Sequence, residues 1–576
     1  MNIMRRPVAS PPPGLAAPNA SAAKPAPRPA DRVRPAPLAR GSGVAPLTPR
    51  YRLSRLLVAA VALALSGLGA VGPARAADVL VVDESWIPGN PWQMASDDAY
   101  VGARAGCYEG LTRVDESGRM TPWLALSFRR LAPTVWEFAL RPGVRFQDGA
   151  PLDADSVTLA LDHLLREAVP ARAFSTRLIA AVEPAGPMAV RITTREPLAV
   201  LPAHLASPAT AILSPAAFRG DGVDPVGHCT GPFAITAVEP GVGLSVHANP
   251  DYWGGAPALA EARIRFVPNG TSRAADVASG AADIARLVPT ASFSTLRRTP
   301  GLDLREVPAP RLTLLVLNNG SGPLADARLR GAVAAAIDRE AISDGLYDGL
   351  MPPAAGLFRP GEPWGLPADE AQPDAAAQFR QPDLADLDAG RGPGPSPYDP
   401  ARARLLLSEA GIAPRHLRLR LLAYSERSDF PDLATTIRDA LAEVGIAVEI
   451  EIGTYAGLEP DLLAGHFDLA LLSRGYLTDV AEPIGFLAAD FACGGSYNLA
   501  HVCRPEIDEA LRRARADDDP ERRFALYREV AGIVVHESVV VPIVHETTFD
   551  AVSARVEGAV SHPLNYTTLT PATQLR

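Results

Sequence analysis

An arginine-flanked apolar run ending at Ala74-Arg75-Ala76 decides which part of this chain has to fold. Arg50, Arg52 and Arg55 precede the run Leu56–Gly72, and the small-residue triplet follows it. A positive flank, a short apolar core and an A-x-A site make a secretory signal peptide, residues 51–76, cut after about Ala76. The run is marginal for a membrane span and lacks a stop-transfer flank. No cysteine directly follows the cut, so no lipid anchor is expected. Residues 1–50 are rich in Pro and Ala without apolar periodicity, and read as a disordered extension or a misassigned start. About 500 of the 576 residues remain to fold, enough for several domains.

Export changes both the charge balance and the cysteine chemistry. Residues 1–76 hold eleven bases and one acid, so the rest carries 44 bases against 64 acids, a net charge of −20. Nucleic acid and anionic membrane both require basic surfaces and are not expected partners. No second long apolar segment is present. All four cysteines (Cys107, Cys229, Cys493, Cys503) lie in the exported part, where an even count favours disulfides. Zinc-ligand spacing such as C-x2-C is missing; His501-Val502-Cys503 and His228-Cys229 are the nearest alternatives.

The exported part alternates helix and strand patterns, the mark of α/β lobes. Trp136–Leu140 alternates as a half-buried strand, and Asp153 then caps a helix with Val157, Leu161 and Leu164 on one face. Pro431–Val444 is a helix with Leu433, Ile437 and Leu441 in line, stopped by Gly445, and the strand Val448–Ile452 follows. Asp519-Pro520 opens a further helix with Phe524, Tyr527, Ala531 and Val534 inward, before a strand Val539–Val544. Residues 367–397, with six prolines and no periodicity, read as a surface insertion.

Catalytic signatures are missing: the chain holds no Walker A motif, no G-x-S-x-G elbow and no H-E-x-x-H. His536-Glu537 and His545-Glu546, nine residues apart, read as residues near the ends of a helix and a strand rather than as ligands on one helix turn. An exported hydrolase would need a nucleophile–base pair that is not visible.

A series of short motifs runs through the mature chain. They are Tyr108-Glu109-Gly110-Leu111, Thr121-Pro122-Trp123-Leu124-Ala125, Leu140–Phe146 with Asp148-Gly149, and Thr230-Gly231-Pro232-Phe233. Asn249-Pro250-Asp251-Tyr252-Trp253, Arg328-Leu329-Arg330 with Ala336–Arg339, Tyr398-Asp399-Pro400 and Arg504–Asp508 follow. In this order they resemble the dipeptide/oligopeptide/nickel class of extracellular solute-binding proteins of ABC importers, solute-binding protein family 5. That resemblance implies a two-lobed α/β fold closing on ligand by a hinge. Lobe one would span about 78–308, with an extra subdomain at about 111–195, and regain residues 545–576; lobe two would span about 309–544. It further implies a monomeric, soluble periplasmic receptor without cofactor, serving a permease and an ATPase in the inner membrane.

The resemblance also places a binding cleft. Gly475–Pro483 is similar to the family segment whose Asp meets the α-ammonium of a peptide, which makes Asp479 the expected anchor; capping a local turn is the structural alternative. Tyr476 stands where the family usually has Trp, keeping an aromatic wall and adding a hydroxyl suited to a more polar ligand. Tyr424 and Arg427 lie near the place of an Arg that grips the ligand carboxylate, three residues out of register, with a solvated surface Arg as the alternative. Gly89–Asp97 aligns with a cleft loop, offering Trp92, Ser96 and Asp97, although Trp92 or Met94 could simply be core. The family's peptide binders carry a disulfide where Cys493 and Cys503 stand; Cys107 and Cys229 flank motifs of lobe one and could pair. A nickel or metallophore-chelate binder is the alternative ligand class. Ser207, where that branch has its key Arg, speaks against nickel itself.

Overall fold

The computed structural model describes residues 79–576 apart from 91, 117, 168, 170, 221, 355, 366–396 and 414–415. The expected extension 1–50, the signal peptide and almost all of the 367–397 insertion therefore lie outside the described residues.

A ten-stranded sheet organises the molecule. Its strands are numbered here in chain order: β1 Val79–Glu84, β2 Phe233–Glu239, β3 Gly243–Ala248, β4 Glu261–Phe266, β5 Ile284–Ala285, β6 Leu302–Leu317, β7 Arg418–Tyr424, β8 Ala447–Gly453, β9 Leu469–Gly475 and β10 Val540–Ser553. They are ordered β2-β3-β4-β1-β5-β10-β6-β9-β7-β8. At the centre β6 and β10 pair antiparallel from Leu302↔Ser553 to Val316↔Val540, and their register shifts between Pro308 and Leu312. Proline cannot donate to a ladder, so Pro308 and Pro310 interrupt the pairing there. One side of the sheet is built by β1–β5, the other by β7–β9. The two lobes are thus joined through two long strands.

The individual elements follow from local signals. Asp153 accepts from Ser156 N (2.9 Å) in a capping box that starts the helix Ala154–Arg166, beside a four-stranded antiparallel sheet that includes Val135–Leu140. The helix Pro520–His536 starts at Asp519, which accepts from Glu521 N, and buries Tyr527, Val530 and Val534. Each such side chain contributes roughly 1.5–3 kcal/mol. Phe524 and Ala531, expected inward, are only half-buried because the packed stripe is centred on Leu526 and Val530. The final long strand runs to Ser553, not to Val544, so His545-Glu546 sits in mid-strand and buried.

The sequence motifs around residues 109, 123, 230 and 252 meet at one carboxylate. Glu109 Oε1 accepts from Trp123 Nε1 (2.7 Å) and Tyr252 Oη (2.8 Å), and Oε2 from Thr230 Oγ1 (2.8 Å) and Trp253 Nε1 (3.0 Å). Arg113 and Arg141 cover the two indoles at 3.5 and 4.4 Å. Cys107 and Cys229, each next to this cluster in sequence, form a disulfide with Cα atoms 5.4 Å apart. Cys493 and Cys503 form the second.

Candidate functional site

The segment after β9, residues 476–482, lies against residues from three distant stretches, Tyr100, Ala203 and Tyr566. Thr478 C=O accepts from Tyr100 Oη (2.6 Å) and Tyr566 Oη (2.7 Å), using both lone pairs. Ala481 N donates to Ala203 C=O (3.2 Å). Leu477, Val480 and Ala481 belong to the same apolar cluster as Ala203 and Leu205. Hydrogen bonds and apolar contact thus fix the backbone on both sides of Asp479.

Asp479 itself meets a cation from far along the chain, Arg172. Its Oδ2 lies 2.8 Å from Arg172 Nε; the Arg172 side chain is 70% exposed and that of Asp479 30%. Burial pushes the Asp479 carboxyl above its usual range, against the pull of Arg172, and Asp97 adds to the upward push. Asp97 is exposed, at the start of the helix Asp98–Arg104, and its side chain makes no capping bond. Asp98, which the sequence reading passed over, holds the preceding loop by accepting from Trp86 Nε1 (3.1 Å), Gly89 N (3.1 Å) and Gln93 N (3.2 Å).

The other expected residues are placed as follows. The Tyr476 hydroxyl, 1% of the residue being exposed, donates to Glu362 (2.8 Å) instead of standing open in a cleft. Its ring packs edge-on against Phe358. Glu362 also accepts from Trp364 Nε1 (2.9 Å), and burial pushes its carboxyl up to about 7. Tyr424 ends β7 between Phe430 and Tyr455, its hydroxyl accepting from Ser473 N (3.3 Å). Arg427 is held by Asp429 through Nε and Nη2 (2.9 Å each) and by Glu546 through Nη1 (2.9 Å). Burial disfavours its charge, but these carboxylates keep its pKa well above the ordinary value. Ser96 Oγ donates to Gln93 C=O (2.9 Å) and accepts from Asp98 N, so it shapes its own loop. Trp92 is buried against Tyr108 and lines a cavity of about 270 Å³ with Pro88, Asn90, Val223 and Phe266, to which no residue of 473–482 contributes.

Several residues around Asp479 escaped the sequence reading. Arg474, on β9, makes a two-pronged ion pair with Asp490 (2.6 and 2.7 Å) and lies over Tyr497 at 4.2 Å. Arg311 crosses the ladder from Gly475. Arg172 follows a helix in a stretch of small residues and carries no local signal; its partner is 307 positions away. Among the described residues no group of three or more His, Cys, Asp or Glu side chains could hold a metal ion. The arrangement offers a partly shielded carboxylate beside an exposed guanidinium, which suits contact with a cationic group.

Comparison with known proteins places this architecture. The model of bacterial extracellular solute-binding proteins, family 5 (middle), matches residues 119–498. The chain is 28% identical over 463 residues to the di/tripeptide-binding protein 2 of Pseudomonas aeruginosa (strain UCBPP-PA14), covering 75% of this chain and 82% of that protein. It is 28% identical over 513 residues to the glutathione-binding protein GsiB of Salmonella paratyphi A, covering 86% and 94%. In fold it matches NikA from Brucella suis in complex with Fe(III)-EDTA with a TM-score of 0.71 at 20% identity, over 86% of this chain and all of that one. The family match spans well over half of the chain and agrees with the two-lobed sheet and with the motifs gathered at Glu109: this chain belongs to the bacterial extracellular solute-binding proteins of family 5.

Proposed function

We propose that this chain is the periplasmic binding component of an ABC importer, capturing small peptides or similar amine-bearing solutes and handing them unchanged to a membrane permease driven by an ATPase. The observation that carries this reading is Asp479. The flanking Thr478 C=O and Ala481 N are held by Tyr100, Tyr566 and Ala203, while its carboxylate faces a solvent-exposed guanidinium that a ligand ammonium can replace. Inside a closed cleft a carboxylate–ammonium contact is a charge-assisted hydrogen bond shielded from water. Relatives named for di- and tripeptides and for glutathione support the same ligand class.

In this reading the protein is monomeric, binds no nucleic acid and catalyses nothing. Lobe one comprises 78–308 with its subdomain at about 111–195 and the return 545–576; lobe two is 309–544. The break in pairing between Pro308 and Leu312, opposite His545–Thr547, supports that division. Exposure of the mature protein to a mixture of di- and tripeptides, followed by native mass spectrometry, tests the role. Retention of intact peptide is expected. Product formation without retention would favour an exported hydrolase, and retention of a metal chelate alone would favour the nickel or metallophore branch.

A further inference from the structure

We infer that Arg311, rather than Arg427, takes the carboxylate of the bound solute, so that a zwitterion spans from Arg311 to Asp479. This inference rests on the peptide reading above. Of the arginines near the segment 475–482, Arg172 is paired with Asp479, Arg474 with Asp490 and Arg523 with Glu482, while Arg359 is taken up by Ala309 C=O, Glu546 C=O and Thr547 Oγ1; the acidic partners of Arg427 are Asp429 and Glu546. Arg311 has none within ion-pair reach among the described residues. Its Nη1 donates to Ser473 Oγ (3.1 Å) and, more loosely, to Ser473 C=O (3.5 Å), both neutral groups. Glu546 is near enough to feel its charge but accepts from Thr313 Oγ1 (2.9 Å) and Arg427 Nη1 (2.9 Å). A guanidinium carries five N–H donors in a flat fork that matches a carboxylate edge, and among the described residues only Nη1 of Arg311 is engaged, by Ser473 alone.

The position is built as well as available. Arg311 stands where the ladder between β6 and β10 breaks, at the junction of the lobes, and it is partly exposed. Its cross-strand partner is Gly475, four residues before Asp479. A Cβ at Gly475 would collide with the Thr478 hydroxyl and come within 3.2 Å of Arg311 Nη2. The missing side chain therefore lets the guanidinium and that hydroxyl lie together over the strand end. One short segment, 475–479, then has a cation at one end and an anion at the other, the charge pattern of a peptide with free termini. Arg427 acts differently in this arrangement: it neutralises Glu546 and Asp429 and braces the strand crossing.

Titration calorimetry with trialanine and its C-terminal amide, on the wild type, Arg311→Gln and Arg427→Gln, tests this. The wild type should bind the free acid at least roughly 30-fold more tightly than the amide, the scale of a lost partner in a shielded charge pair. Arg311→Gln should reduce that ratio to within about threefold, by the same logic. A ratio preserved in Arg311→Gln overturns the inference, as does its loss in Arg427→Gln alone. A wild type that binds acid and amide equally overturns the carboxylate anchor while leaving peptide capture intact. A wild type that binds trialanine, dialanine and glutathione not at all overturns both. Should Arg311→Gln fail to fold, a co-crystal of the wild type with trialanine decides: the terminal carboxylate on Arg311 supports the inference, and its placement on any other cation refutes it.

Discussion

Replacing Asp479 and Arg172 separately should move affinity in opposite directions. Arg172 is mostly exposed, so its 2.8 Å pair with Asp479 is screened by water and contributes about 0–1 kcal/mol. Arg172→Ala should therefore leave the melting temperature nearly unchanged. A ligand ammonium has to displace that guanidinium, so removing the competitor should tighten amine binding by up to about fivefold, the equivalent of about 1 kcal/mol. Asp479→Ala removes the acceptor itself. Loss of one partner of a shielded charge pair costs about 2–5 kcal/mol, or roughly 30- to several-thousand-fold in affinity. Isothermal titration with trialanine and its N-acetyl derivative, at two salt concentrations, separates these effects. The gain in Arg172→Ala should shrink as salt rises, because the exposed cation is screened. Acetylation should weaken binding strongly in the wild type and hardly at all in Asp479→Ala. Equal losses on acetylation in both would place the ammonium elsewhere. A tenfold loss in Arg172→Ala would make Arg172 a ligand contact instead of a displaceable stand-in.

Glu109→Gln should cost about 2–4 kcal/mol in urea denaturation, since an amide nitrogen would face N–H and O–H groups that now donate to the carboxylate; an unchanged midpoint would mean that the carboxyl already holds a proton. Glu362 binds its proton more tightly in the fold, with a pKa of about 7 against 4.5, so its contribution turns unfavourable as pH rises between those values, by about 3 kcal/mol in all. Glu362→Gln should flatten the stability profile in that window, and an identical profile would refute the placement. Replacing Cys493 and Cys503 by Ser opens a loop of ten residues and should cost about 2–3 kcal/mol; two free thiols in a non-reduced digest of exported protein would remove the basis of that expectation.

Local signals were readable wherever one stretch of chain decides its own shape. Asp519-Pro520 and the apolar period behind it located the helix Pro520–His536. The strand that follows seemed to stop at Val544, because His545-Glu546-Thr547 resembles an exposed end. It continues because Thr313 and Arg427, from distant segments, satisfy Glu546, and Arg359 donates to the Glu546 carbonyl (2.6 Å) and Thr547 Oγ1 (3.2 Å). Polarity alone cannot tell a solvated residue from a buried one whose partner is elsewhere. The same limit applied at the site. Asp479 stood out through its own neighbours, whereas Arg172, Tyr100 and Tyr566 reach it only through the fold. The Tyr476 hydroxyl looked available because Glu362, 114 positions earlier, gave no hint that it would bind it.

The cluster at Glu109 has a consequence for how such a chain can change over generations. Trp123, Thr230, Tyr252 and Trp253 come from three separate stretches, yet each aims a donor at one carboxylate. Losing the carboxylate strands four donors at once, and losing a donor leaves a buried charge under-coordinated, so each substitution is penalised until its companions change too. Arg311, Arg172 and Asp97, at the edge of the proposed cleft, carry no such mutual debt. Drift is therefore free to rework what the protein captures while the frame that makes it recognisable stays locked, and a lineage can exchange one solute for another without passing through an unfolded ancestor.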